Sequence, residues 1–155
     1  MSPAEIRERY ERIQEEVGPE VTVVAATKYV SVEDLASLAE AGVAVVGENR
    51  AQDLQVKHDR YGDTFRWHFI GHLQSRKAKV VNGICELVHS LDSESAALRL
   101  TVPALVEVNL SAEPTKSGVP PEELAAMLDD YYALRGWDTD GVPTAGRLTA
   151  LGLRG

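Results

Sequence analysis

Five short apolar runs, each separated from the next by a helical pattern, constrain the fold of this chain more than any other feature. The first, residues 21–26 (VTVVAA), is continuously apolar rather than alternating, which is how a strand buried on both faces reads. The others are residues 43–47 (VAVVG), 65–71 (FRWHFIG), 87–91 (LVHSL) and 102–108 (VPALVEV). Between and around them, helices are expected at residues 3–17, 32–41, 50–59, 73–81, 93–100 and 121–134. Ile6, Tyr10, Ile13 and Val17 form an apolar stripe on the first helix, with Ser2 as its N-cap and Pro3 in its first turn. Ser31 caps the second helix, and Gly42 stops it. Strands alternating with helices imply one parallel sheet with right-handed crossovers. The expected class is therefore α/β, either an open doubly wound sheet or part of a (β/α) barrel. At 155 residues the chain falls below the roughly 200 of a complete eight-stranded barrel. The expectation is about five parallel strands, with open edges that favour self-association.

Charge and cysteine content narrow the classes of partner. A net charge of −8 argues against broad nucleic-acid binding, which shows a basic footprint. No apolar stretch approaches the roughly 20 residues of a membrane span. The single cysteine, Cys85, excludes an intrachain disulfide and fits a reducing compartment. The N-terminus turns charged at once, without a signal-type apolar core. The expected location is the cytoplasm.

In parallel α/β folds the ligand site lies beyond the carboxyl ends of the strands. Here those ends carry Thr27-Lys28, Glu48-Asn49-Arg50, Gly71-His72, His89-Ser90-Leu91-Asp92 and Glu107-Val108-Asn109, while His68 lies just inside the third. Lys28 reads either as a lysine snorkelling into water or as an amine for attack on a carbonyl, with Ala25, Ala26, Tyr29 and Val30 as an apolar setting. His68 and His72 stand four apart, which suits one metal ion on a helix but not on a strand. Cys85 reads as a buried, inert thiol. Thr115-Lys116-Ser117-Gly118 lacks the spacing of a phosphate loop and reads as a turn.

Together these segments resemble the YggS-type pyridoxal phosphate homeostasis proteins, of the alanine racemase N-terminal barrel superfamily. The resemblance is carried by Val24-Ala25-Ala26-Thr27-Lys28, Gly47-Glu48-Asn49-Arg50-Ala51-Gln52, Lys57, Trp67 to Gln74 (WHFIGHLQ) with Lys77, His89-Ser90-Leu91-Asp92, Val106 to Asn109, and Lys116-Ser117-Gly118. It covers about residues 1–128, in family order. It implies a truncated TIM-type barrel that binds pyridoxal 5′-phosphate, held as a Schiff base on Lys28. By position it places Asn49 and His68 along the ring side of the pocket, Ile70 and Gly71 at its wall, and Lys116 near its mouth. It implies a cofactor-buffering carrier without turnover of its own. A racemase-like enzyme would need a second acid/base opposite Lys28, which no segment clearly supplies. The third alternative is a truncated or chimeric relative that no longer binds the cofactor. The chain departs from the family between Leu100 and Thr101, where a longer helix and loop are usual.

A second resemblance lies in the tail. Met127 to Asp138 (MLDDYYALRGWD), Gly141-Val142-Pro143-Thr144 and Leu151-Gly152-Leu153 resemble the C-terminal end of aldehyde ferredoxin oxidoreductases. No cysteines for an iron–sulfur cluster accompany them, so the resemblance points to a composite chain rather than redox chemistry. The expected organisation is a partial cofactor-binding barrel over residues 1–128 and a helical tail over 129–155.

Overall fold

The computed structural model describes residues 1–111, 113 and 115–153. Its centre is one parallel sheet of five strands in sequential order: β1 (Ala25–Ala26), β2 (Val45–Glu48), β3 (Arg66–Phe69), β4 (Leu87–Leu91) and β5 (Ala104–Val106). All four adjacent pairs are parallel. The connecting helices are α2 (Leu35–Ala41), α3 (Ala51–Tyr61), α4 (Ala78–Ile84) and α5 (Glu94–Ala97); α1 (Pro3–Val17) precedes the sheet, and α6 (Leu124–Arg135) and α7 (Ala145–Ala150) come after it. This is the expected α/β architecture, in the order of the first five strands of a barrel.

Four of the five expected strands are longer than those observed, and β4 spans the residues expected. Residues 21–24 stay outside the ladder, because β1 is an edge with pairing only to β2. The helix expected at 93–100 contracts to the single turn of α5, and Asn82 pins the segment between α5 and β5. Its amide donates to the Arg99 carbonyl at 2.8 Å, and its oxygen accepts from the Thr101 N–H at 2.9 Å. The chain therefore enters β5 at once.

Side-chain alternation gives the sheet two different faces. Val46, Trp67, Phe69, Val88 and Leu91 join Leu35, Leu54, Val81 and Ala97 in one apolar core beneath the helices. Gly47 and His68 alternate to the opposite face, where residues of a closed barrel would line the lumen. Val45 is 1% exposed yet lies outside the main core cluster, in keeping with that opposite face. The tail packs on the helix side of β5, where Met127, Leu128, Tyr131 and Tyr132 meet Val102, Ala104 and Val106 around a cavity of about 160 Å³. The helix α6 runs through residue 128, on both sides of the division expected between barrel and tail. Among the described residues, no helix is long and apolar enough to cross a membrane.

Candidate functional site

The register places the polar strand ends in one row. Ala26 pairs with Gly47, Gly47 with His68, and Phe69 with Val88. The exits of β1, β2 and β3 therefore lie side by side: Lys28 stands in the turn just past β1, Asn49 and Ile70 just past β2 and β3, and His89 within β4. Four adjacent ends span about 14 Å at the usual strand spacing. Ile70 packs against Gly47, where a Cβ would meet the Ile70 methyl carbon at 3.0 Å.

Gly71 is needed where it stands. A Cβ there would lie 2.6 Å from the Cα of Asn49 and would run into the Asn49 carbonyl oxygen. The exits of β2 and β3 thus touch backbone to backbone, and the Ser90 hydroxyl donates to the Gly71 carbonyl to bring in β4. Asn49, half-buried, lines a depression of about 300 Å³ with Arg50, Gln52, His72, Arg76 and Lys77 at the N-terminus of α3. That is a local concentration of positive groups in a chain of net charge −8.

Lys28 departs from the enclosed amine expected. It is exposed, its Nζ lies 5.1 Å from the Tyr29 ring centroid, and Tyr29 itself is 90% exposed. The apolar setting read from Ala25 to Val30 does not form, because β1 is an edge strand and no strand beyond it covers these side chains. Lys116 is also exposed, ion-paired to Glu113 at 2.7 Å. It lines a separate depression with Glu107, Asn109 and Ser117.

The two histidines considered as a metal pair go different ways. His68 Nδ1 lies 2.9 Å from His89 Nε2, and His68 Nε2 lies 3.1 Å from Glu86. His72 Nδ1 lies 2.8 Å from Asp92 on the exposed rim. Burial, and then the charge of His68, hold the His89 pKa below its ordinary value. Burial pushes the Cys85 thiol up to about 12, so it stays a thiol at neutral pH.

Sequence reasoning missed a buried ion pair behind the site. Glu48 turns to the helix side, fully buried, and meets Lys57 of α3 at 2.6 Å. Lys57 also donates to the Thr27 carbonyl at 2.8 Å, and the Thr27 hydroxyl donates to Glu48. The Glu48 Oε2 atom has no partner among the described residues. The signal was present: Val46 and Glu48 are two apart on β2 and must face the same, helix-covered side, while Lys57 sits one to two helical turns into α3.

Comparison with known proteins adds relatives to this geometry. The chain is 36% identical to the pyridoxal phosphate homeostasis protein of Aquifex aeolicus, with 69% of this chain and 51% of the relative aligned. It is 34% identical to that of Schizosaccharomyces pombe, over 80% of this chain and 59% of the relative. The chain thus spans between half and three-fifths of these curated relatives. PipY of Synechococcus elongatus, solved without pyridoxal phosphate, superposes with a TM-score of 0.76 at 28% identity, covering 94% of this chain and 76% of that one. The same protein solved with pyridoxal phosphate bound gives 0.75 at 26% identity, with the same coverage. A family model described as aldehyde ferredoxin oxidoreductase, domains 2 and 3, matches residues 90–153, beginning well before the tail segment that carried the resemblance.

Proposed function

Because this chain is a relative of the pyridoxal phosphate homeostasis proteins, we propose that it binds pyridoxal 5′-phosphate at the carboxyl ends of its strands, as a carrier without turnover, with Lys28 as the covalent anchor. The observation that supports the reading is the depression at the N-terminus of α3, where the Asn49 amide lies among Arg50, Arg76 and Lys77. The residues present suit the group. An exposed amine can condense with an aldehyde to a Schiff base, releasing water. The depression at Asn49 is at the small end of ligand pockets, which run from about 300 Å³. Its cations and the first N–H groups of α3 favour an anion such as phosphate. The cofactor itself would supply an aldehyde carbon and an electron-withdrawing ring.

In this reading Asn49 and Gly71 shape the ring wall, His68 backs it, and Arg76 and Lys77 hold the phosphate. Lys116 stays at the mouth. The phosphate loops of a full barrel come after strands seven and eight, beyond the five strands described here. Each charge-assisted hydrogen bond they would contribute is worth roughly 1.5–3 kcal/mol, so binding through five strands alone is weak and salt-sensitive.

Titration with pyridoxal 5′-phosphate, monitored by absorbance and equilibrium dialysis, tests this. The expected result is an absorbance band near the visible edge that Lys28→Ala abolishes and that fades as salt rises. Tight, salt-independent binding unaffected by Lys28→Ala would refute the site. No band at any concentration would favour the alternative of a relative that no longer binds the cofactor.

A further inference from the structure

The line of contacts Arg66, Glu86, His68, His89 crosses the face of the sheet opposite the main core and ends at His89 within β4. Arg66 Nη1 lies 3.4 Å from Glu86, Glu86 lies 3.1 Å from His68 Nε2, and His68 Nδ1 lies 2.9 Å from His89 Nε2. Among the described residues, these are the charged and titratable groups in polar contact with the histidine pair. His68 is buried, and both of its ring nitrogens are engaged. It has no hydrogen bond left to give a ligand.

Hydrogen-bond direction along the line is set at its charged end. A carboxylate only accepts, so His68 Nε2 carries the proton toward Glu86. With the His68 ring neutral, its Nδ1 is bare and must accept. His89 Nε2 must donate to it, which leaves His89 Nδ1 as a bare lone pair. His89 is half-buried, and that atom has no hydrogen-bond partner among the described residues.

We propose that His89 is a further binding residue of this site, fixed by Glu86 through His68 as an acceptor that takes a hydrogen bond from an O–H or N–H of an aromatic ligand. The inference rests on the proposed cofactor binding for the ligand's class but not for the state of the imidazole. It assigns the polar contact on this wall to His89 rather than to His68, and gives that contact a sign: donors are held, anionic oxygens are not. The low pKa of His89 keeps the lone pair available at neutral pH.

The test is nitrogen-15 NMR of the histidine rings in the cofactor-free protein. At neutral pH the expected spectrum shows His89 with Nε2 protonated and Nδ1 bare. In Glu86→Ala the constraint is lost, and His89 should show both tautomers. A protonated His89 Nδ1 in the wild type, or one unchanged tautomer in Glu86→Ala, would overturn the proposal. A second titration uses 3-hydroxypyridine, which offers an O–H or, in its zwitterionic tautomer, an N–H, but no aldehyde and no phosphate. It should move the His89 Nδ1 resonance in the wild type and in Lys28→Ala, and should lose most of its binding in His89→Phe. An unmoved resonance at millimolar probe would also overturn it. If the wild type forms no band with pyridoxal 5′-phosphate yet both NMR results hold, the cofactor reading fails and the role of His89 stands.

Discussion

At the scale of single residues, Lys57 and Glu48 behave differently from the exposed ion pairs of this chain. Both are buried, at side-chain exposures of 5% and 0%, and the Glu48 carboxylate has only Lys57 and the Thr27 hydroxyl as hydrogen-bond partners among the described residues. Lys57→Met would strand a buried carboxylate, a change that typically costs 3–5 kcal/mol, about as much as a protein this size can lose. The urea midpoint of Lys57→Met should fall sharply. The double variant Lys57→Met with Glu48→Leu should recover most of the loss, because paired removal leaves no orphan charge. His89 gives a second, pH-dependent expectation. Its folded pKa is lowered, so folding favours the neutral ring. Its contribution is whole above the unfolded value of about 6.5 and is lost as pH falls below it, toward the folded pKa. Unfolding midpoints of the wild type between pH 7.5 and 5.5 should therefore fall more steeply than those of His89→Gln. Equal slopes would remove His89 from the account. The carboxylates titrate alike in both proteins and cancel in the comparison.

At the scale of elements, α1 depends on its ends. None of its residues is buried, and only Ile6 and Tyr10 pack against the core. It carries a full capping box: Ser2 accepts from the Glu5 N–H, and the Glu5 carboxylate accepts from the Ser2 N–H at 2.7 Å. The Ser2 N–H and the Ser2 hydroxyl, both donating to the Glu5 carboxylate, hold that carboxyl below its usual pKa. Arg7 extends the tie by donating to the Glu40 and Ala41 carbonyls, which closes the C-terminal end of α2. Ser2→Ala should cost about 1 kcal/mol and should appear first as faster amide exchange in α1, leaving β2 and β3 unchanged. Exchange that rises equally in the strands would show that α1 unfolds only with the whole domain. The elements most legible in the sequence were those with their own signals. The capped, striped α1 spans the residues expected of it, and so does β4. The ends of β1, β3 and β5 were not legible, because a strand end is set by whether a neighbour is present to accept its hydrogen bonds. The four-residue α5 was not legible either, since it is closed by Asn82 from another helix.

At the scale of the whole molecule, the sheet has edges at β1 and β5 and one face without helices. The tail protects the helix-side face of β5: α6 covers Val102, Ala104 and Val106, and Arg135 donates to the Leu100 carbonyl at 3.3 Å. Removing residues 121–155 should expose that apolar strip, raise the binding of a hydrophobic dye and lower the melting temperature by several degrees. Unchanged dye binding would mean that α6 rests on the sheet without stabilising it. The Lys116-Ser117-Gly118 turn likewise depends on tertiary closeness: Gly118 has φ +116°, and a Cβ there would lie 2.7 Å from the Asn109 nitrogen. By itself the sequence determined the class of fold, the parallel order of strands and the set of polar residues at their carboxyl ends, because periodicity and strand-end chemistry are local properties. Only the tertiary structure decided that Lys28 stands open on an edge, that Glu48 turns away from the site toward Lys57, and that His68 spends both nitrogens on its neighbours. Those outcomes depend on which face a residue lands on and what lies across from it. They arise from register and strand neighbours, which no single segment encodes.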